Sequence, residues 1–177
     1  MRDSSGSPRA ITASGTRWLW LSLAAVAADR FTKHLIETRT TDSFNYPLIS
    51  DIVTLVHSSN PGIAFGMFSD SPPYWLKVLL VGGAFAVILL LVWLLAANRV
   101  SGALARAGVA LIIGGAAGNA YDRLAFGAVT DFFYVRIGHH HWPAFNVADS
   151  VIDIGAALIL VQMFRANRRV RSARSAH

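Results

Sequence analysis

The stretch VLLVGGAFAVILLLVWLLAA, residues 78–97, contains no charged residue and no proline. A helix of about 20 residues spans about 30 Å, the thickness of the hydrocarbon core of a bilayer. The whole chain of 177 residues is 54% hydrophobic and only 15% charged, against about 25% charged in a typical soluble domain. This composition indicates a membrane protein. The net charge of +6 does not indicate a nucleic-acid-binding protein, because the basic residues are sparse and lie mostly between and beyond apolar runs.

Four transmembrane helices are predicted. They cover about residues 18–36, 74–97, 104–121 and 146–164. The two middle spans are nearly free of charge, whereas the outer two contain charged residues that must face the interior of the bundle or a membrane surface. The first span also resembles a secretory signal, since an apolar run follows Arg17. Apolar residues resume after Asp29 and Arg30, which favours a helix that continues.

The basic residues predict the orientation and the organisation of the chain. Ten of the 16 lie in the N-terminal segment, the 98–106 loop and the C-terminal tail, beside one acid, so both termini are expected in the cytoplasm. Residues 1–16 are predicted to be a disordered cytoplasmic segment, 17–166 the membrane domain and 167–177 a basic cytoplasmic tail. The outer segment 38–73 contains a β-branched stretch. The predicted fold is therefore an all-α membrane protein with four transmembrane helices and a small extracytoplasmic β-sheet.

Four polar clusters lie at the ends of the predicted spans or beside them, where ionisable groups are costly and often functional. They are Asn60–Phe65, Gly118–Arg123, Gly127–Phe133 and Phe145–Ser150. Each alone has a simple structural explanation: a hairpin turn, a helix end tied by an Asp122–Arg123 pair, a solvated Asp131, or an N-cap at Asn146. Asp153, deeper in the last span, is not explained by the cap. The predicted orientation places all four clusters at one membrane face.

Asp131 and Asp149 come from opposite ends of one outer connection, so their carboxyl groups can meet at that face. Two carboxyl groups in a poorly solvated site cannot both ionise easily and share one proton. One then acts as a base on water and the other as an acid toward a carbonyl oxygen, as in aspartic peptide hydrolysis. This chemistry needs neither a metal nor a cysteine, and the chain contains no cysteine.

The four clusters, in this order and spacing, resemble those of lipoprotein signal peptidase, the signal peptidase II family. The matching motifs are Asn60-x-Gly62-x-Ala64-Phe65, Gly114-Gly115-x-x-Gly118-Asn119-x-x-Asp122-Arg123, Gly127-x-Val129-x-Asp131-Phe132 and Phe145-Asn146-x-Ala148-Asp149-Ser150. The resemblance implies a four-helix aspartic endopeptidase of the bacterial inner membrane. Such an enzyme removes the signal peptide from diacylglyceryl-modified prolipoproteins by cleaving before the lipid-bearing cysteine.

The resemblance also implies roles for individual residues. The family's catalytic pair corresponds to Asp131 and Asp149. The positions that line the site, hold the substrate backbone or support these residues correspond to Asn60, Gly62, Asn119, Asp122, Arg123 and Asn146. In the first span Asp29 and Lys33 match a family motif, but Arg30 stands where the family has Gln. No metal or cofactor is implied. The expected partners are diacylglyceryl-prolipoproteins and membrane lipids, not nucleic acid, and the expected state is a monomer.

Three alternatives remain open from the sequence. Intramembrane polar residues also occur in small transporters, although there they are distributed through the depth of the membrane. A catalytically inactive relative that serves as an interaction module is the second. A metal-binding membrane protein that uses His139-His140-His141 with Asp131 is the third, although consecutive side chains point in different directions.

Overall fold

The computed structural model describes residues 13–50, 52–62 and 73–174. The helices are α1 (Ala13–Thr16), α2 (Leu19–Arg39), α3 (Tyr74–Ala96), α4 (Ala103–Ala125) and α5 (Val147–Arg174). The strands are β1 (Asn45–Ile49), β2 (Val53–Asn60), β3 (Val129–Ile137) and β4 (His140–Phe145). Most of the predicted disordered segment, Ala64 and Phe65 of the first motif, and the last three residues of the predicted tail lie outside the described residues.

Each of the four predicted spans corresponds to a long helix, and three of these helices among the described residues are long and apolar enough to cross a membrane. These are α3, α4 and the first 22 residues of α5, Val147–Arg168. The fold prediction is confirmed to this extent. Helix α2, with 21 residues, is nearly as long, but it contains Asp29, Arg30, Lys33 and Glu37 and is not among these three apolar helices. Helix α5 extends through most of the segment predicted as a tail.

Helix α4 lies at the centre of the bundle and contacts α2, α3 and α5. Its glycines allow this close approach, as is typical where membrane helices pack without a hydrophobic driving force between them. A Cβ atom at Gly115 would collide with the backbone oxygen of Ala148, and one at Gly108 would collide with that of Gly155. The absence of side chains on this face therefore brings the start of α5, with its Asn146–Asp149 segment, directly against α4.

The apolar core is small and lies between α3 and α4. Leu95, Val109, Ala110 and Ile113 are buried there. Most of the remaining apolar surface of α3 is exposed, including Leu79, Leu89 and Trp93. Large apolar side chains exposed along a helix of this length are typical of contact with lipid rather than water.

The strands form one antiparallel sheet in the order β1-β2-β3-β4. The outer segment 38–73 contributes β1 and β2, as the sequence predicts. The other half comes from the connection between α4 and α5, where VTDFFYVRI alternates too weakly to distinguish a strand from a loop. The pairing of β2 with β3 places Ser58 opposite Asp131 and Asn60 opposite Val129. This register brings the first motif to the third.

Candidate active site

A cavity of about 430 Å³ opens where the sheet meets the outer ends of α4 and α5. Polar residues from all four sequence clusters are at or beside it. Its lining residues are Asn60, Asn119, Arg123, Val129, Asp131, Trp142, Pro143, Ala144, Phe145, Asp149, Ser150 and Asp153. The structure therefore brings Asp131 and Asp149 to one cavity, on one side of the bundle.

Asp131 is buried on β3, with 3% of its surface exposed. Its carboxyl group accepts two amide hydrogen bonds, one from Asn60 Nδ2 at 3.0 Å and one from Asn146 Nδ2 at 2.7 Å. The pKa of Asp131 is raised from 3.8 to about 6, mainly by burial and also by the nearby charge of Asp149, although the two amide bonds act in the opposite direction. Asp131 therefore keeps its proton to a higher pH than an ordinary aspartate.

Asp149 lies in the first turn of α5, where Asn146 caps the helix. The Asn146 side-chain oxygen accepts from the Asp149 amide at 3.0 Å, and Asp149 Oδ2 accepts from the Asn146 amide at 3.2 Å. This reciprocal arrangement is a capping box. The structural explanation for Asn146 is thus correct, and it is compatible with a functional one, because the side-chain nitrogen of the same Asn146 donates to Asp131. One side chain consequently contacts both carboxylate-bearing residues.

Asn119 holds Asp149 from the α4 side. Its amide nitrogen donates to Asp149 Oδ1 at 2.8 Å. Its amide oxygen accepts from Lys33 Nζ at 3.0 Å and from Asn146 Nδ2 at 3.3 Å. With the oxygen occupied by these donors, the nitrogen of Asn119 faces Asp149 and fixes the position of its carboxyl group.

Lys33, Asp29 and Asp122 form a fully buried ionic cluster between α2 and α4. Lys33 Nζ lies 2.7 Å from Asp29 Oδ2 and 2.7 Å from Asp122 Oδ2, so the pair that the four-residue spacing predicts is present. Asp122 also pairs with Arg30. The helix-end pair of Asp122 with Arg123 is therefore not what the structure contains: Asp122 faces α2, and the two residues point to different sites.

Arg123 extends into the cavity instead. Its guanidinium group donates to the Gly62 carbonyl oxygen at 3.2 Å and to the Asn119 carbonyl oxygen at 3.3 Å. Gly62 in turn donates its amide to Asn60 Oδ1 at 3.1 Å, which makes the turn that orients Asn60 toward Asp131. Within the described part of the chain, the buried Nε of Arg123 has no hydrogen-bond partner.

Two polar features of the sequence lie apart from these contacts. His140 and His141 are exposed on β4, and His141 Nδ1 is 2.6 Å from the Tyr134 hydroxyl. Over residues 13–50, 52–62 and 73–174, no three His, Cys, Asp or Glu side chains are grouped so that they could hold a metal ion.

Asp153 lies one turn after Asp149 and lines the cavity, but it is exposed. The motifs do not single out Glu37 and Thr130, which are hydrogen-bonded to each other beside Asp131.

A protein-family model described as signal peptidase (SPase) II matches residues 21–165. The chain belongs to the signal peptidase II family. It is 43% identical over 158 residues to a lipoprotein signal peptidase of Solibacter usitatus, covering 86% of this chain and 94% of the relative. It is 38% identical over 173 residues to a lipoprotein signal peptidase of Vibrio cholerae, covering 95% and 98%.

Solved structures agree with the family at the level of the fold. A bacterial membrane enzyme determined by the in meso method at 2.3 Å resolution superposes with a TM-score of 0.74 at 24% identity, over 85% of this chain and 89% of that one. A second, at 1.9 Å resolution, gives a TM-score of 0.71 at 23% identity, over 88% and 96%. The chain is thus an integral membrane protein of a peptidase family, as the sequence motifs predict.

Proposed function

We propose that this chain removes the signal peptide from diacylglyceryl-modified prolipoproteins, with Asp131 and Asp149 as its catalytic pair. The observation that carries the proposal is that both carboxyl groups lie at one cavity and are bridged by Asn146. Relatives named lipoprotein signal peptidase share 36–43% of the sequence. Asn119 and Asn146 orient the carboxyl groups, Asn60 and Gly62 support Asp131, and Arg123 offers a donor to the peptide backbone.

The two aspartates divide the acid and base roles. Asp149 in its ionised form takes a proton from a water molecule, and the water oxygen bonds to the carbonyl carbon of the scissile peptide. Protonated Asp131 donates to the carbonyl oxygen. Asp149 then passes its proton to the cysteine nitrogen, the carbon–nitrogen bond breaks, and Asp131 regains its proton as the new carboxyl group forms. The raised pKa of Asp131 supports its role as the acid.

The walls of the cavity fit a lipidated substrate. Trp142, Pro143 and Phe145 on or beside the last strand give one side of it an apolar lining, and Trp142 is exposed. A peptide whose cysteine carries two acyl chains is anchored in the bilayer, so its scissile bond stays near the interface. A carboxylate pair at the end of a helical bundle, beside an apolar wall, suits a bond at that depth.

We propose the orientation of the chain in the membrane from the distribution of its charged residues. Basic residues at both termini and in the 98–106 loop favour the cytoplasm for those parts, which puts the sheet and the cavity on the extracytoplasmic face of the inner membrane. Helix α2 is then the fourth span. Its charged residues Asp29 and Lys33 are buried against α4 rather than facing lipid. Because Lys33 pairs with Asp29 and with Asp122, these charges can be accommodated within a membrane-spanning helix.

The deciding experiment compares two forms of one prolipoprotein, with and without the diacylglyceryl group, as substrates of the chain reconstituted in lipid. Burying four methylene groups of an acyl chain is worth about 3 kcal/mol, so we expect the modified form to be cleaved about 100-fold faster. Mass spectrometry of the product should place the new N-terminus at the lipid-bearing cysteine. Equal cleavage of both forms, or cleavage at another bond, would contradict the proposal.

The acid role of Asp131 predicts a loss of activity as the pH rises. The value of kcat/KM reports the free enzyme, so it should fall above about pH 6, where Asp131 loses its proton. Bound substrate excludes water and favours the neutral carboxyl group further, so kcat should decline only at higher pH. Cleavage rates measured from pH 4.5 to 9 test this order. A kcat/KM that increases steadily through pH 6–8 would assign the proton to the other aspartate.

A further inference from the structure

Each catalytic aspartate directly follows a residue that is hydrogen-bonded to a carboxylate of α2. The Ala148 amide, just before Asp149, donates to Asp29 Oδ1 at 2.9 Å. The Thr130 hydroxyl, just before Asp131, donates to Glu37 Oε1 at 2.8 Å. These two contacts tie two separate elements, the start of α5 and the start of β3, to one helix.

The two α2 carboxylates are themselves connected. Asp29 pairs with Lys33, which pairs with Asp122. Asp122 pairs with Arg30, and Arg30 pairs with Glu37 at 3.3 Å. The guanidinium group of Arg30 also lies over the rings of Tyr121 and Phe126, 5.4 Å and 5.1 Å from their centroids. Arg30 is thus fixed from several sides, and it holds Glu37 toward β3.

A helix is the most rigid element available for setting a distance. Asp29 and Glu37 are eight residues apart, or about 12 Å along the axis of α2. The chain between Asp131 and Asp149 consists of a hairpin whose register shifts between Phe133 and Val135, so the connection itself sets the separation of the two aspartates poorly. The amide of Asn146 links Asp131 to the start of α5, whereas the Thr130–Glu37 bond links β3 to α2.

We propose that Glu37 and Thr130 are positioning residues for Asp131, and that Arg30 maintains Glu37 in this role. The inference rests on the proposed function of the Asp131–Asp149 pair. It assigns a purpose to the one residue in the first-span motif that departs from the family, since a guanidinium group at position 30 can pair with Asp122 and Glu37 at once. An aspartate displaced by as little as 1 Å can lose about 100-fold in rate.

The test is a set of threonine substitutions that differ only in the hydroxyl group. Thr130→Val keeps the shape and removes the donor to Glu37, and we expect kcat to fall about 10-fold with KM within twofold of wild type. Thr130→Ser restores the donor and should recover most of the rate. The matched control is Thr38→Val, because Thr38 is exposed and donates only within α2, to the His34 carbonyl oxygen. It should behave as wild type.

A pH profile separates positioning from a general loss of structure. If β3 moves, both the burial that raises the pKa of Asp131 and the amide bonds from Asn60 and Asn146 that lower it change. The pH at which kcat/KM declines should then shift in Thr130→Val but not in Thr38→Val. Glu37→Leu should give the same shift, and the double variant with Thr130→Val should be no slower than the slower single variant, since both remove one contact.

The inference would be overturned if Thr130→Val matched Thr38→Val in kcat and pH profile, or if the losses of Thr130→Val and Glu37→Leu multiplied in the double variant. Either result, obtained with a wild-type chain that cleaves the diacylated substrate, leaves the proposed function standing. A wild-type chain that does not cleave that substrate instead removes the proposed function itself.

Discussion

Asp131→Asn and Asp149→Asn are each expected to reduce cleavage of a diacylated prolipoprotein by about 10⁴-fold, the upper end of what general acid–base catalysis contributes. An amide in place of Asp149 cannot take a proton from water, and one in place of Asp131 cannot supply the acidic proton to the carbonyl oxygen. Single-turnover rates with the purified variants in lipid measure the effect. The loss should appear in kcat, because neither change removes an apolar contact with the acyl chains.

The free energy of unfolding should change little in Asp131→Asn. Folding raises the pKa of Asp131 above its ordinary value, so the carboxyl group favours the folded state when protonated. The unfavourable contribution to stability develops as the pH rises through the window from 3.8 to about 6. A neutral amide escapes it but accepts only one of the two amide hydrogen bonds from Asn60 and Asn146, so the variant should unfold at pH 8 within about 1 kcal/mol of wild type. Asp42→Asn, in the exposed turn before β1, is the matched control and should retain full activity. Near-normal turnover of either active-site variant would exclude the catalytic pair.

The second large effect is expected from Lys33→Met, which we predict to lower the free energy of unfolding by about 3–5 kcal/mol. Lys33 is buried, and its ammonium group has three acceptors, Asp29, Asp122 and Asn119. Its removal leaves buried carboxylates with one cation fewer, which is the costly way to break a buried ion pair. Unfolding by denaturant in detergent micelles, followed by tryptophan fluorescence, measures the change.

Lys77→Met provides the control for Lys33→Met, since Lys77 is exposed near the beginning of α3. It removes the same charge and should unfold like wild type. The double change Lys33→Met with Asp29→Asn should recover part of the lost stability, because it also removes one of the unpaired charges. If Lys33→Met and Lys77→Met unfolded alike, the ionic cluster would not contribute to stability.

Much of the fold can be predicted from the sequence because apolar length is a direct signal. The uncharged apolar run in α3 has the length that indicates a membrane-spanning helix, and the glycine-rich α4 indicates close helix packing. The spacing of Asn146 and Asp149 likewise predicts a capped helix, which is present. The half of the sheet formed by β3 and β4 is harder to predict, since its pairing depends on contacts with β2 that are distant in sequence.

The active-site residues show the same limit on what can be predicted from the sequence. Motifs identify Asp131, Asp149 and Asn119, because chemistry restricts the residue types that can occupy such positions. They do not identify the partners of Asp122, which the sequence would pair with the adjacent Arg123 but which lie on α2. Glu37 and Thr130 carry no local signal at all. A threonine in a strand and a glutamate at a helix end are ordinary until the fold joins them, 93 residues apart.

The buried ionic cluster has a consequence for how the chain is assembled in the membrane. Helix α2 is synthesised first, and at that stage Lys33 has Asp29 beside it but not Asp122, which is made 89 residues later. Each charged residue at the centre of a nascent membrane helix costs about 2.5–3.5 kcal/mol at the translocon. As the proposed fourth span, α2 therefore enters hydrocarbon only weakly by itself, and its stable integration waits until the ribosome has delivered α4.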